Sequence, residues 1–483
     1  MNIKHSGVKN SLDEIVFFGF DEYAFPFQEG VRLQLHQFSC SVDAASNIVL
    51  PPGKNRAPDD LAVTGYATVR RVNDELWLWY CAQSSLDNEW HERLCFATSR
   101  DGRNWSRPDL GLVEFYGSKN NNLINFPVDE HVQACVVFHD SEDPDPSRRF
   151  KMSFESGKYH NKMAIAFSPD GLNWHLHPDN PVGPGFEQAG GALYHGVYYL
   201  TGQGGGHWSP KGGSRKLQIL ISYDFATWAQ ASCVGLNRDP FPPRPTEYGR
   251  AAGPQVHLGA ALWNRGNTLI GFYGMWNGHP SNDRRLTWMH LGMTVSHDGL
   301  HYREPVPDFP IVSAAEIGWK RLPDGDAVAH FPAVIQTQGF ENIGDETLFW
   351  YSAWPEGDAN GLRVAHWPKD RLGHLEAFTG PDSDSFVVSQ PVSLEGKSTK
   401  IFINAEGLGS YTGLAVSVLT EDFKRVPGFG RDVAEELHES GFRQPVTWQN
   451  RDSLSSDGPV RIRVDFTGVR PEDAELYAVY IEQ

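Results

Sequence analysis

The chain has 483 residues, of which 42 are basic and 60 acidic, so its formal net charge is −18 at pH 7. No basic run stands out, which excludes nucleic acid and an anionic membrane surface as expected partners. The five cysteines are odd in number and show no C-x-x-C spacing, so neither a disulfide framework nor a zinc site is predicted. The N-terminus lacks a signal-like apolar stretch, and no run is long enough to span a membrane, so we expect a cytoplasmic protein.

The composition favours short strands over helices, because the chain contains 48 glycines, 32 prolines and 15 tryptophans. The length exceeds that of one ordinary core and predicts a large repeat domain followed by another domain. In chain order, the first strands are expected at Glu14–Phe18 and Val31–Phe38. This N-terminal segment is expected to close the ring that the later repeats form.

A strand that leads into a Ser-x-Asp-Gly turn and then an aromatic residue recurs along the chain, with small departures. The copies are Leu94–Trp105, Ala164–Trp174, Ile219–Trp228 and Leu291–Tyr302, with a weaker fifth at Gly361–Pro368. Each interval is long enough for four strands, and such a repeat is typical of propeller blades. We therefore predict an all-β, five-bladed β-propeller with blades at about 57–108, 130–177, 187–231, 247–303 and 326–370.

After residue 370 the tryptophan-rich pattern stops, and short alternating runs indicate an antiparallel β-sandwich. The expected strands are Phe386–Val392, Lys400–Asn404, Leu414–Leu419, Val460–Phe466 and Leu476–Ile481, with a helix near Asp432–Glu439. The predicted domains are thus a propeller at 1–370 and a sandwich at 371–483.

Acidic residues stand just ahead of the first strand of every predicted blade. Together with their polar neighbours they are Asp59, Asp60, Glu130, His131, Glu187, Gln188, Glu247, Arg250, Asp324 and Asp326. A single acid at a strand start more often stabilises a turn. Five at corresponding positions favour a ring of carboxylates around the channel mouth, and such a ring suits glycosidic bond cleavage, which needs a proton donor and a nucleophile or base.

Aromatic and histidine side chains near the same loops are candidates for sugar binding, although packing between blades explains each tryptophan equally well. They are Trp90, Trp208, Trp276 and Trp354, with His207, His257 and His279. No metal or other cofactor is predicted, because the acids Asp140, Asp143 and Asp145 do not match the spacing of a calcium loop.

Several strings resemble glycoside hydrolase families 32 and 43. They are SRDGRNWSRPDLGLVEFYGSKNNNLI, DPDPSRRFKMSF, IFINAEGLGSYTGLAVSVLTEDFKRVPGF and VRIRVDFTGVRPEDAELYAVYI. The resemblance implies a five-bladed propeller enzyme with a C-terminal sandwich, whose catalytic acids would be Asp60, Glu130 and Glu187. The chain lacks the W-[LM]-N-D-P-N-G motif and the Glu-Cys pair of fructosidases, and its Arg238–Pro240 triplet follows the third blade. A divergent glycosidase, acting on a furanoside or an unusual sugar, is therefore expected.

The resulting hypothesis is a glycoside hydrolase or transglycosylase with a carbohydrate substrate. Glu187 is the expected general acid, Asp60 the nucleophile or base, and Glu130 the orienting acid. The expected substrate-binding residues are His131, Glu247, Arg250, His257, Trp276 and Asp326. Two alternatives stay open: a non-catalytic carbohydrate-binding propeller, and a glycoside phosphorylase with a phosphate site among Arg250, Arg284 and Arg285. A homo-oligomer is also left open.

Overall fold

The protein is described here by a computed structural model. The described residues are 12–39, 47–87, 91–204, 215–239, 252–279, 286–314, 320–321, 327–328, 333–353, 361–378, 384–449 and 451–483. Within these ranges the regular structure is almost entirely strand, joined by short 3-10 turns at Pro146–Arg148, Gly157–Tyr159 and Pro471–Asp473. The predicted all-β class is therefore confirmed.

The N-terminal segment supplies five strands: β1 (Glu14–Phe18), β2 (Phe27–Glu29), β3 (Val31–Leu35), β4 (Phe38–Ser39) and β5 (Ile48–Leu50). Blades 1 and 2 follow with β6 (Ala62–Val72), β7 (Glu75–Gln83), β8 (Arg93–Ser99), β9 (Val132–His139), β10 (Phe150–Ser156), β11 (Met163–Ser168) and β12 (His175–Leu176). Blade 3 contains β13 (Gln188–Tyr194), β14 (Val197–Gly204), β15 (Lys216–Ser222) and β16 (Cys233–Leu236).

Blade 4 contains β17 (Gly253–Asn264), β18 (Leu269–Gly278), β19 (Trp288–Ser296) and β20 (Pro310–Ser313), and a small hairpin, β21 (Lys320–Arg321) and β22 (Ala327–Val328), follows it. Blade 5 contains β23 (Val334–Ile343), β24 (Glu346–Ala353) and β25 (Leu362–Pro368). The C-terminal strands are β26 (Gly373–Ala377), β27 (Phe386–Val388), β28 (Lys400–Glu406), β29 (Thr412–Thr420), β30 (Gly441–Pro445), β31 (Val460–Gly468) and β32 (Glu475–Glu482).

The first strand of each blade faces the centre, and β6, β9, β13, β17 and β23 contact one another in that cyclic order. The predicted five-bladed propeller is thus confirmed. Each of these inner strands carries a bulge in its pairing with the second strand of its blade. A bulge leaves backbone groups without a ladder partner, and burial makes such groups costly unless a side chain satisfies them.

At the bulge of blade 4, Gln203 accepts a hydrogen bond from Leu258 N–H, and Gln336 donates to the carbonyls of His257 and Gly259. Outside the bulges, buried polar side chains of neighbouring blades also bond to backbone groups of the inner strands. The Gln338 side chain of blade 5 accepts hydrogen bonds from the backbone N–H groups of Gly191 (2.8 Å) and Leu262 (2.9 Å), and donates to the Leu262 carbonyl (2.8 Å). One buried amide therefore joins blades 3, 4 and 5. Thr68 of blade 1 accepts a hydrogen bond from Val137 N–H of blade 2 at 3.1 Å in the same way.

The recurrent Ser-x-Asp-Gly turn docks one blade on the preceding one. In blade 1, Ser99 Oγ accepts a hydrogen bond from Gly102 N–H at 2.9 Å, and the Trp350 indole of blade 5 donates to the Gly102 carbonyl at 2.9 Å. In blade 2, Trp79 donates to Gly171 at 2.7 Å. Gly102 has a φ of +71°, and a Cβ there would lie 2.6 Å from a Trp350 carbon. At Gly102 the docking surface therefore leaves no room for a side chain, whereas blade 3 has Phe225 at the corresponding position.

The C-terminal sandwich consists of two antiparallel sheets, in the orders β3-β26-β32-β28-β30 and β2-β27-β31-β29, with β1 on β32. The predicted sandwich is confirmed, but the expected ring-closing role of the N-terminal segment is wrong in part. β1, β2 and β3 belong to the sandwich, whereas only the short strands β4 and β5 join the outer edges of blades 4 and 5. Strands from 14–35 therefore pair with strands that follow residue 370 in the two sandwich sheets.

The predicted helix near Asp432–Glu439 is also wrong. This stretch forms a turn and isolated bridges, in which Ala434 pairs with Trp448 and Leu437 pairs with Leu414. Tertiary packing explains why no helix forms, because Leu437 and Ala434 pack on the sandwich core that contains the fully buried Trp448.

The two units share a buried contact. Asp370, which is 1% exposed, pairs with Arg265 of blade 4 and accepts a hydrogen bond from Tyr480 of β32 at 2.8 Å. Around it, Phe18 of β1 packs in one apolar cluster with Phe272 of β18. The sandwich is therefore anchored on the outer side of the propeller near blades 4 and 5.

Replacing Gln338 by leucine removes the amide that joins three blades, while the side-chain volume stays similar. Two backbone N–H groups and one carbonyl then lose their hydrogen-bond partner, and the free energy of unfolding should fall by about 3 kcal/mol. The urea midpoint should fall, whereas Gln28→Leu, which replaces an exposed residue and removes one partly buried hydrogen bond, should leave it nearly unchanged. Equal midpoints for the two variants would refute this closing role of Gln338.

Candidate active site

The channel has one mouth at which the inner strands begin, the second strands end and the third strands begin. Polar residues from blades 1 to 3 meet there. They are Tyr66, Gln83 and Glu92 of blade 1, His131, Gln133 and Glu155 of blade 2, and Glu187, Gln203 and Arg215 of blade 3. We call these nine residues the mouth cluster.

Glu187 lies directly before β13 and has an unusual backbone, with a φ of +44°. Its carboxylate accepts hydrogen bonds from the Tyr66 hydroxyl at 2.9 Å and from the Gln203 amide. Gln203 also accepts a hydrogen bond from Leu258 N–H at 3.2 Å, which ties the site to the bulge of blade 4. Burial raises the pKa of Glu187 above its ordinary value, although Tyr66, Arg215 and Gln203 oppose that change.

Glu155 holds the backbone of this turn. One oxygen of its buried carboxylate accepts the N–H groups of Phe186 and Glu187, each at 2.7 Å. Left-handed backbone is costly for a residue other than glycine and persists where its surroundings impose it. Burial raises the pKa of Glu155, and the charge of Glu187 adds to this effect. The Glu155 carboxylate is thus the group that positions Glu187.

Glu92 is a third acid of the mouth cluster and is 1% exposed. Its side chain accepts a hydrogen bond from Gln83 at 3.3 Å, and its backbone N–H donates to the His131 ring at 3.1 Å. Burial lowers the pKa of His131, so the ring stays neutral at pH 7. Burial, followed by the charges of Glu187 and Glu92, raises the pKa of Tyr66, which therefore keeps its proton and donates it in a hydrogen bond.

Arg215, Trp276 and His257 form the wall beyond Glu187. The Arg215 guanidinium lies 5.4 Å from the centre of the Trp276 ring, and the His257 ring stacks on the same indole at 5.5 Å with an angle of 17°. Trp276 is fully buried. The predicted sugar-stacking role of Trp276 therefore needs correction, since the indole supports Arg215 and His257 and offers a sugar no exposed face.

Asp60 lies at the start of blade 1, and its carboxylate holds the loop together. It accepts hydrogen bonds from Arg56 N–H (2.7 Å), Ser84 Oγ (3.0 Å), and the N–H (2.7 Å) and Oγ (2.6 Å) of Ser85. Partial burial opposes these bonds, but together they lower the pKa of Asp60. The neighbouring Asp59 is buried and binds Tyr80 and Arg107, so it belongs to the core of blade 1.

Glu130 is exposed, and its side chain lies near Gly157 rather than within the mouth cluster. Among the described residues, no hydrogen bond or ion pair joins Asp60 or Glu130 to Glu187. The structure thus brings Glu187 and His131 into one cluster and places Asp60 and Glu130 outside it. Other predicted residues lie outside the described ranges: Glu247, Arg250, Asp324, Asp326, Trp90, Trp208, Trp354, His207, Arg284 and Arg285.

Sequence reasoning missed seven of the nine residues in the mouth cluster: Tyr66, Gln83, Glu92, Gln133, Glu155, Gln203 and Arg215. Tyr66 and Gln133 lie in inner strands, whereas the other five lie near the ends of second strands or just before third strands. The useful signal was geometric: in an antiparallel blade, the end of the second strand lies beside the start of the first. A search restricted to the residues before first strands could not find them.

The three aspartates of the 140–145 loop form ion pairs or hydrogen bonds with neighbouring residues. Asp140 and Asp143 both pair with the buried Lys151, at 3.3 and 2.7 Å, and Asp145 accepts a hydrogen bond from Ser147 N–H at 2.9 Å. Within the described ranges, no group of three or more His, Cys, Asp or Glu side chains is arranged to hold a metal ion.

In the same part of the chain, no helix has both the length and the apolar character needed to cross a membrane.

No protein-family model matches the chain, and no curated protein is similar to it. Solved structures with some likeness include a glycosyl hydrolase from Bacteroides ovatus, with 14% identity, a TM-score of 0.42, and coverage of 76% of this chain and 98% of that one. Another represents the glycoside hydrolase family 130 of mannoside phosphorylases, with 15% identity, a TM-score of 0.41, and coverage of 70% and 95%. A family 32 beta-fructofuranosidase from Bombyx mori has 11% identity, a TM-score of 0.38, and coverage of 90% and 95%. Since these TM-scores lie below 0.5, the functional argument rests on the side chains of this chain.

Replacing Glu187 by glutamine should stabilise the protein in a pH-dependent way. Because the folded pKa of Glu187 is raised, its contribution to stability is present below the ordinary value of 4.5 and is lost as the pH rises through the folded pKa. The variant should therefore melt at a higher temperature than the parent protein at pH 8, and the difference should vanish below pH 4. Glu130→Gln, an exposed control, should show no such difference, and a lower melting temperature of Glu187→Gln at pH 8 would contradict the burial of a costly charge.

Proposed function

We propose that this chain is a glycoside hydrolase, or a transglycosylase that uses the same residues, and that Glu187 is its proton donor. One observation carries the proposal: a carboxyl group at the channel mouth whose pKa burial raises, held in a left-handed turn by Glu155 and oriented by Tyr66. A donor to the leaving oxygen must still hold its proton near the working pH, which burial of a carboxyl group achieves.

The partner of the donor in such a reaction is a carboxylate that stays ionised. Asp60 is our proposed nucleophile or base, since hydrogen bonds from Ser85, Arg56 and Ser84 lower its pKa. Glu155 takes the positioning role first predicted for Glu130, because Glu155 is the acid in contact with the Glu187 backbone. The substrate class we propose is a furanoside or an unusual oligosaccharide, with His131 and His257 as hydroxyl partners.

Product release from a panel of furanosides and oligosaccharides tests whether Glu187 is the proton donor. Glu187→Gln should reduce the rate on any cleaved substrate by about 10²–10⁴-fold, because the leaving group then departs without a proton. Glu130→Gln is the matched control, since it removes an exposed acid near the same mouth, and its rate should change less than about threefold. A substrate that both variants cleave at the parent rate would eliminate Glu187 as the donor.

Two variants should move the pH dependence of that activity in opposite directions. Tyr66→Phe removes a hydrogen bond that favours ionised Glu187, so the alkaline limit of the kcat/KM profile should move to higher pH. Glu155→Gln keeps an oxygen for the backbone N–H groups but removes a negative charge, so the same limit should move to lower pH. Shifts in the same direction would show that the limit does not report the ionisation of Glu187.

A carbohydrate-binding propeller without catalysis is the second candidate. It is favoured by the structural hydrogen bonds that occupy the carboxylates of Asp60 and Glu155. Glycan-array binding by the parent protein, retained by Glu187→Gln and without product release from any bound glycan, would support this candidate over the enzyme.

A further inference from the structure

A cavity of about 620 Å³ lies beside blade 1, outside the mouth cluster. One wall is the loop at 52–59, which leads into Asp60 and β6, and the other is formed by residues between 107 and 122, which follow β8. The volume lies within the range of small-molecule sites. None of the nine residues of the mouth cluster lines this cavity, so it is a separate candidate site.

Side-chain hydrogen bonds hold both walls of the cavity in place. Arg107 donates to the Asp59 carboxylate at 2.6 Å and to the Pro51 carbonyl at 2.5 Å, which fixes the loop wall. On the other wall, the Asn121 amide donates to the Ser118 carbonyl at 3.1 Å. The cavity is therefore formed before a ligand arrives, and binding does not have to order these segments.

Several polar side chains line the cavity without taking part in these contacts. Among the described residues, no hydrogen bond or ion pair engages the side chains of Lys54, Asn55 or Asn120. All three residues are exposed. A side-chain amide both donates and accepts hydrogen bonds, and an ammonium group donates up to three. The cavity therefore offers donors and acceptors together, which suits a ligand that carries both.

The charges around the cavity balance, since three cationic side chains face three carboxylates. They are Lys54, Arg56 and Arg107, and Asp59, Asp109 and the adjoining Asp60. With equal numbers of each sign, the cavity does not favour a ligand of either charge. Phe115, an aromatic residue of the lining, is only 8% exposed, so recognition depends on hydrogen bonds rather than on stacking. A neutral ligand with many hydroxyl groups fits these conditions.

The loop wall also joins the cavity to the mouth cluster. Asp60 directly follows this wall, and the next residue, Leu61, donates its N–H to the carbonyl of Gln83, a member of the mouth cluster, at 3.1 Å. Ser84 Oγ donates to the Ala57 carbonyl of the wall at 3.0 Å. A saccharide chain that runs outward from the mouth past Asp60 would therefore enter the cavity.

We propose that this cavity binds neutral sugar units of an oligosaccharide whose scissile bond lies at the mouth. The inference rests on the proposed function and narrows its substrate class to neutral chains longer than a disaccharide. Lys54, Asn55 and Asn120 are the hydroxyl partners in the cavity. Contacts made far from the reacting bond contribute binding energy that a shorter substrate lacks, so the cavity would make the reaction depend on chain length.

Binding to an array of neutral and anionic oligosaccharides tests the cavity apart from catalysis. The full chain is used with Glu187→Gln, which slows cleavage of any bound chain, and it should bind neutral oligosaccharides. Adding Lys54→Ala and Asn120→Ala should weaken that binding by about tenfold or more, because two hydrogen-bonding side chains are lost. Lys119→Ala is the matched control, since Lys119 is exposed beside Asn120 but does not line the cavity.

Both residues of the double variant are exposed, so its melting temperature should equal that of the Glu187→Gln background. Equal affinity of the double variant and its background for the bound oligosaccharides would overturn the proposal. Retention of anionic oligosaccharides alone, or of no oligosaccharide, would also overturn it.

A comparison of chain lengths separates this inference from the proposed function. On the sugar that the array identifies, Lys54→Ala with Asn120→Ala should lower kcat/KM for the tetrasaccharide by about tenfold and leave that for the disaccharide within about twofold. Equal losses on both substrates would overturn the cavity as a site for remote sugar units. If the double variant loses binding but the parent protein releases no product from any bound chain, the proposed hydrolysis fails and the cavity remains the glycan-binding site.

Discussion

Five bulged strands meet at the centre of this protein, and each leaves backbone groups that no neighbouring strand can pair. At the bulge of blade 4, Gln336 of blade 5 donates to the carbonyls of His257 and Gly259. Elsewhere along the inner strands, Gln338 of blade 5 bonds to the backbone of blades 3 and 4, and Thr68 of blade 1 bonds to the backbone of blade 2. The ring depends on these hydrogen bonds between blades. Burial makes each such bond expensive to lose, so the centre is rigid without being apolar. The mouth cluster uses the same device, because Gln203 links the Glu187 carboxylate to a bulged N–H of blade 4.

The channel mouth holds Glu187, a residue whose conformation and burial lower the stability of the fold but suit its proposed role as proton donor. Glu187 combines a left-handed backbone with a half-buried carboxylate, and both features oppose stability. Glu155 and Tyr66 hold it in place from two other blades. A ring whose centre is rigid can tolerate such a residue at its mouth, since the strain is distributed over contacts that the rest of the fold already requires.

The parts of the fold that sequence reasoning predicted are those encoded locally. Blades 1, 2 and 4 each carry their own turn, in which a serine accepts a hydrogen bond from the glycine N–H, as Ser99 does from Gly102, so the repeat was visible in the sequence. The contact of Tyr66 with Glu187 spans 121 positions and depends on how two blades meet. No local sequence pattern encodes the contact between these two blades. The helix predicted near Asp432–Glu439 failed for the same reason, because a strand from elsewhere in the sandwich pairs with Leu437.

The pairing of β1 with β32 imposes an order on biosynthesis. Glu14 lies opposite Glu482, so β1 cannot form this pairing until β32 has been synthesised. At roughly 5–20 residues per second, that wait lasts on the order of half a minute to a minute and a half. Meanwhile Val16, Phe17 and Phe18, which are all buried in the finished protein, have no partner strand. The growing chain therefore carries an unpaired apolar strand until β32 is made, and a premature stop codon before β32 would leave that strand exposed to chaperones or to aggregation.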